Sequence, residues 1–151
     1  MRRALIGLLA VGVLGSAPAL SARGAPPSSL SGLAVKQENI GKPGPRSARD
    51  YLVDVRLYSL RAKKQLEGTL QIGRFRDSAP TTLGFRRQIA GQVGTSVPRE
   101  QRIASTTVFV TRGKRLGIAV WFRGRDMFVL SIREGYTKPK SLIRAALEVQ
   151  P

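Results

Sequence analysis

The side chains that most often perform catalysis are missing from this sequence. None of its 151 residues is a histidine or a cysteine, which excludes Ser-His-Asp and Cys-His nucleophiles, thiolate metal sites and disulfides. The nine acidic residues are too few for a carboxylate cage around a metal ion. Asp54 and Glu67 could face each other on two consecutive predicted strands, but an ion pair with arginine is the favoured role. We therefore predict a protein that is not an enzyme and uses no cofactor or metal.

The charge of the chain is strongly one-sided. It has 26 lysines and arginines against nine acidic residues, a formal net charge of +17. Such a field attracts nucleic acid, anionic lipid headgroups and anionic wall polymers alike. The arginines are spread through every predicted element, so a purely compositional origin, with arginines coating solvated faces, is the alternative.

One group of basic residues has an aromatic neighbour. If the middle strand of the predicted sheet turns its aliphatic side chains inward, Arg115, Trp121 and Arg123 emerge together on the open face. Cations beside an exposed tryptophan could hold an anionic ligand that stacks on the indole. A second patch could form where an earlier strand meets a helix, from Arg74, Arg76, Arg86 and Arg87. In the alternative interpretation, Trp121 packs on the arginine stems and only covers the sheet.

The elements that must position these residues centre on a predicted three-stranded meander. The run from Ser105 to Arg133 is rich in β-branched and aromatic residues and is divided by two short turns that contain glycine, a hairpin signal. In its middle strand, large aliphatic or aromatic side chains recur at every second position, which predicts one buried and one open face. The residues on the face predicted to be buried are Leu116, Ile118, Val120 and Phe122.

The remaining elements complete an α+β pattern. In residues 51–58 and 66–73, apolar and polar side chains alternate, which predicts the two strands of a hairpin. Ser78 is a candidate N-cap for one helix, and Pro139 begins another. The order ββαβββα predicts a single antiparallel sheet with both helices packed on one face, within one domain covering 50–151. The predicted core consists of Val53, Val55, Leu57, Leu70, Ile72, Phe85, Ile89, Val93, Ile118, Val120, Phe122 and Leu147.

This order of elements resembles a known family. The hairpin, the helix opened by Ser78-Ala79-Pro80, the meander ending in Met127-Phe128-Val129-Leu130 and the closing helix are similar to PsbP-like extracytoplasmic α+β domains. The resemblance covers roughly residues 50 to 151. It implies a secreted or anchored accessory protein, often without catalytic activity, and it assigns no functional residue.

The N-terminal part of the sequence predicts export. Basic residues, an apolar stretch from Ala4 to Gly15 and the small-residue motif Ala17-Pro18-Ala19 form a signal peptide over 1–19, with cleavage near residue 19 or 22. An uncleaved signal anchor is the alternative. Two clusters of proline and glycine in residues 20–48 predict a flexible spacer. The expected location is therefore secreted, periplasmic or at the cell envelope.

These features predict an exported, non-catalytic accessory or binding domain of the bacterial envelope. The expected partner is a protein or an anionic envelope polymer or lipid, contacted through a basic face. Nucleic-acid binding outside the cytoplasm is an alternative that the charge allows, although no recognised nucleic-acid module is present. An anchored protein-interaction domain is a further alternative.

Overall fold

The computed structural model describes residues 27–39 and 52–150, which form one antiparallel sheet of eight strands and two helices. The predicted signal peptide, residues 1–19, lies outside the described residues. The strands are β1 (Ser29–Leu30), β2 (Leu33–Glu38), β3 (Leu52–Ala62), β4 (Gln65–Phe75), β5 (Arg99–Ile103), β6 (Thr106–Gly113), β7 (Leu116–Arg123) and β8 (Asp126–Arg133). The helices are α1 (Leu83–Val93) and α2 (Pro139–Leu147).

The sheet consists of two four-stranded meanders joined side by side. Its strand order is β1-β2-β3-β4-β8-β7-β6-β5, so the last strands of the two meanders, β4 and β8, are neighbours. They pair antiparallel, with Leu70 opposite Leu130 and Gln71 opposite Val129. Each meander is followed by one helix, and β4 is therefore central although it comes from the first half of the chain.

Both faces of the central sheet are buried. In β7, Val120 and Trp121 are both fully buried although successive side chains of a strand point to opposite faces. Val120 belongs to an apolar cluster with Ala90 of α1, and Trp121 belongs to a second cluster with Leu142 of α2. The two helices thus cover opposite faces of the sheet.

The predicted fold class is therefore wrong in its main features. The three strands expected between Ser105 and Arg133 are present as β6, β7 and β8, but they are part of an eight-stranded sheet and not of a five-stranded one. The helices do not share a face. The physical reason lies in Ala119 and Trp121, whose alternation with aliphatic residues suggested a solvated face although α2 covers them.

The three strands that the sequence analysis missed are short or polar. β5 has the sequence REQRI and is exposed over most of its length, so it shows no apolar alternation. β1 and β2 lie inside the stretch predicted as a spacer, residues 20–48. Ser59 Oγ of β3 donates a hydrogen bond of 2.6 Å to Glu38 of β2, and this bond lowers the pKa of Glu38, with smaller contributions from Lys36 and Arg61.

Part of the predicted core is on the surface. Val53 is 53% exposed and Phe85 49% exposed, and Val93 is also exposed. In α1 the side chain that packs most tightly is Ala90, which is fully buried, with Ile89 partly buried beside it. The predicted stripe along α1 is displaced because a small alanine lets the helix approach the sheet closely, so the larger side chains lie at its margins.

The burial of Trp121 gives a direct test of the two-sided sheet. Because the chain has a single tryptophan and its indole is fully buried against Phe128, its emission should be blue-shifted and resistant to aqueous quenchers. Unfolding in denaturant should shift the emission to the red and restore quenching. Red-shifted, readily quenched fluorescence in the native protein would contradict the packing of α2 on this face.

Candidate anion-binding site at one end of the sheet

Trp121 is buried and does not lie on the open face where the binding site was predicted. Its ring stacks on Phe128 with 5.2 Å between centroids and an angle of 6°, inside the cluster beneath α2. The indole Nε1 is buried and has no hydrogen-bond partner among the described residues. The expectation of a tryptophan on an open sheet face is wrong, because that face is closed by the C-terminal helix.

Arg123 serves the packing of α2. Its guanidinium donates hydrogen bonds to the carbonyl oxygens of Leu147 and, at 3.1 Å, Val149. The same group lies 5.8 Å from the centroid of the Phe128 ring. A cation that satisfies the last carbonyls of a helix is favourable for both hydrogen bonding and the helix dipole. Arg123 is thus engaged within the fold.

Arg74 is engaged in a similar way. It forms a bidentate ion pair with Asp126, at 2.9 Å from Nε to Oδ1 and 3.0 Å from Nη2 to Oδ2. The hydrogen bond to Asp126 raises the pKa of Arg74 despite partial desolvation. Asp126 is 4% exposed, so this pair is a structural link between β4 and β8.

The two remaining predicted binding residues, Arg76 and Arg115, are exposed but far apart. Arg76 follows the end of β4, whereas Arg115 lies in the turn before β7, at the opposite end of the sheet. A strand of eight residues separates these ends by about 23 Å. The structure therefore does not bring the five predicted residues together.

The carboxylates do not form a catalytic pair either. Asp54 lies opposite Arg74 in the register of β3 and β4, and Glu67 accepts a hydrogen bond of 2.9 Å from Arg133. Seven residue steps along β4 separate these positions by about 23 Å, against the ~5–10 Å that glycosidases require. Within the described ranges no group of three acidic residues could hold a metal ion.

The structure instead gathers cations at one end of the sheet. Of five two-residue turns in the described chain, three lie at the end where β3 meets β4, with the sequences Ser31-Gly32, Lys63-Lys64 and Lys114-Arg115. The two turns at the opposite end are Ala104-Ser105 and Gly124-Arg125. The two-residue turns thus carry four cations at one end of the sheet and one cation at the other.

The start of α2 adds to the same end. Lys138 and Lys140 flank Pro139 at the first helical position, and both lysines are exposed. The first turn of α2 contains no acidic residue and its N-cap makes no side-chain hydrogen bond. The helix dipole therefore adds positive potential here. We call Lys63, Lys64, Lys114, Arg115, Lys138 and Lys140 the basic end.

The basic end is not neutralised internally. In residues 27–39 and 52–150, no acidic side chain forms an ion pair with any of its six cations. Some other arginines do form ion pairs, since Arg133 pairs with Glu67 and Arg87 pairs with Glu100. The basic end can therefore attract an external anion without breaking a salt bridge.

Two of these cations occupy unfavourable backbone conformations. Lys63 has φ of 53° and Arg115 has φ of 58°, a left-handed region where glycine or asparagine is preferred in tight hairpins. Ala104 and Ser105 share this property at the other end, so the strain by itself does not mark a site. At the end where β3 meets β4, two of the strained non-glycine positions are charged and the third is Ser31, whereas those at the other end carry no charge.

The sequence contained part of this signal. Both lysine-bearing turns fall between runs of alternating apolar residues and could be predicted as turns. Their meeting at one end depends on β4 pairing with β8, which reverses the direction of the second meander relative to the first. That pairing joins residues about 60 positions apart and leaves no local signature.

Comparisons with family models, curated proteins and solved structures give no match to this chain. Neither α1 nor α2, the helices of the described ranges, is long and apolar enough to cross a membrane.

Asp126→Asn should destabilise the protein more than the loss of a surface ion pair does. It leaves Arg74 without half of a largely buried bidentate pair, and we expect a loss of about 2–3 kcal/mol in the free energy of unfolding. Glu100→Gln, which removes the exposed partner of Arg87, is the control and should cost less than ~1 kcal/mol. Chemical denaturation measures both, and equal losses would show that the link between β4 and β8 is not structural.

Arg115→Gly should separate stability from binding. Glycine relieves the positive φ, so the free energy of unfolding should stay constant or rise by up to about 1 kcal/mol. Ala104→Gly relieves comparable strain at the opposite end without changing the charge. Binding to anionic vesicles should weaken in the first variant and not in the second. A loss of stability in Arg115→Gly would contradict this account of the turn.

Proposed function

We propose that this chain is an exported, non-catalytic accessory domain of the cell envelope that binds an anionic lipid surface through the basic end. The observation that carries the proposal is the concentration of six exposed cations, without an ion pair among the described residues, on turns and a helix start at one end of the sheet. The predicted signal peptide supports the location, and this remains a prediction from sequence.

The geometry favours a surface over a discrete small anion. The basic turns Lys63-Lys64 and Lys114-Arg115 are separated by the widths of three strand spacings, about 14 Å. Side chains at this spacing cannot converge on one phosphate, but they can contact several headgroups of one leaflet. Each cation near such a surface contributes about 1 kcal/mol at physiological ionic strength.

An anionic lipid surface also suits the basic end better than nucleic acid does. Proteins that bind single strands stack bases on exposed aromatic side chains, commonly on an open sheet face. In the described part of the chain both sheet faces carry a helix, and Tyr136, the aromatic residue next to the basic end, is partly buried against the apolar cluster beneath α2. Without such stacking, attraction to nucleic acid would be electrostatic only.

A charge-matched pair of variants tests the proposal. In the first, Lys63, Lys64, Lys114 and Arg115 are replaced by glutamine. In the control, four exposed cations away from the basic end are replaced, namely Lys36, Arg76, Arg102 and Arg144. Both lose four charges. Binding to vesicles of phosphatidylglycerol and phosphatidylcholine should weaken at least about tenfold more in the first variant than in the control.

The same variants are measured against duplex DNA and against vesicles of phosphatidylcholine alone. Wild-type binding should need the anionic lipid and should decrease with salt. Equal losses in the two four-charge variants would reject the proposal, because the arginines and lysines would then act only as a diffuse coat. A selective loss of DNA binding, with vesicle binding unchanged, would transfer the function to nucleic acid.

A further inference from the structure

An apolar pocket lies beside the basic end, between the sheet and the start of α2. It has a volume of about 250 Å³ and opens to solvent. Its walls come from β6, β7, β8 and the first turns of α2, and its floor is apolar. The principal lining residues are Val110, Gly117, Ala119, Ile132, Tyr136 and Ile143.

Gly117 keeps this pocket open. It lies within β7, opposite Ile132 of β8, and its backbone does not have a positive φ. A Cβ atom built at this position would meet no atom within 4 Å. Neither conformation nor packing within the described residues therefore demands glycine. Glycine inside a strand weakens the strand, and it often marks a place where a ligand approaches the backbone closely.

Cations are close sequence neighbours of residues that line the pocket. Lys114 and Arg115 form the turn that leads into Gly117, and the carbonyl of Arg115 accepts a hydrogen bond of 3.0 Å from the N–H of Glu134, which lines the pocket. Lys138 precedes Pro139, another lining residue. Arg133 also lines the pocket, but its charge is paired with Glu67. Glu134 is the exposed acid at this rim, so Lys114, Arg115 and Lys138 leave a net positive charge around an apolar interior.

We propose that this pocket takes one acyl chain of an anionic lipid while Lys114, Arg115 and Lys138 contact its headgroup. This inference rests on the proposed function and deepens it, since it assigns a specific lipid contact to the basic end. The volume is slightly below the ~300–1,000 Å³ of typical small-molecule pockets. It therefore suits part of a single chain and not a whole lipid.

A larger depression beside α1 does not compete for this role. It measures about 550 Å³ but is a shallow groove, lined by Gly84, Gly91, Gly94 and Pro98 among others. Nothing in the structure shows what covers it, whereas the pocket beside α2 has both an apolar interior and a charged rim.

Alkyl phosphates of increasing length, used below their micelle concentrations, test the pocket by calorimetric titration of the full chain. Each methylene taken out of water should raise affinity about fourfold, until the pocket is full and affinity levels off. Inorganic phosphate should bind far more weakly than decyl phosphate. Decyl maltoside, which has the same chain and a neutral headgroup, should also bind more weakly than decyl phosphate.

Gly117→Leu fills the pocket without changing charge. It should abolish the dependence of affinity on chain length, while thermal stability stays equal or rises because leucine suits a strand better than glycine. Gly117→Ala provides a graded variant that should shorten the chain length at which affinity levels off. Attraction of both variants to anionic vesicles through the basic end should persist at low salt.

The outcomes separate this inference from the proposed function. A chain-length dependence that survives unchanged in a folded Gly117→Leu variant would overturn the pocket but leave surface binding intact. Absence of any chain-length effect in the wild type would do the same. If decyl maltoside binds as tightly as decyl phosphate, the charged rim has no role and the assigned headgroup chemistry is wrong. Equal losses of vesicle binding in the two four-charge variants would instead reject the proposed function itself.

Discussion

The structure depends on the pairing of β4 with β8. This seam is the only place where the two meanders hydrogen-bond strand to strand in the described sheet, and it is clamped near both ends by ion pairs. Glu67 and Arg133 form one pair, and Arg74 and Asp126 form the other, with both carboxylates buried. Gly68 allows the strands to approach, because a side chain there would collide with the backbone of β8. The seam therefore combines close packing with fixed register.

Several charged residues hold the sheet and α2 together, so the net charge of the chain overstates the number of cations that are free to bind a ligand. Arg74 and Arg133 clamp the seam, Arg123 caps α2, and Arg125 donates to the backbone at the end of β4. These arginines cannot also bind a ligand without leaving buried partners unsatisfied. Among the described residues, the cations that remain available include both lysines and exposed arginines, and all of these lysines lie at the basic end. The place of the free cations in the fold, and not the total charge, identifies the candidate site.

The sequence allowed some of these features to be predicted and concealed others for physical reasons. Strong local alternation of apolar and polar side chains predicted β3, β4 and the strands between Ser105 and Arg133. Alternation could not show that the second face of β7 is buried, because Ala119 is small and Trp121 suits either a surface or a core. β5 consists mostly of polar residues, so no hydrophobic pattern could predict it as a strand. The basic end depends on a pairing between strands that are distant in sequence. Local sequence patterns can therefore predict its turns, but they cannot show that these turns lie at the same end of the sheet.

The composition of β5 has a consequence for how this sheet meets other chains. β5 is an edge strand, and its outer side offers backbone groups that could template the addition of a foreign strand. Its residues Arg99, Glu100 and Arg102 are exposed and charged, which penalises the dehydration that such addition requires. At the other edge, β1 is only two residues long and offers little to extend. The polar character that hid β5 from prediction thus protects the protein from edge-to-edge aggregation.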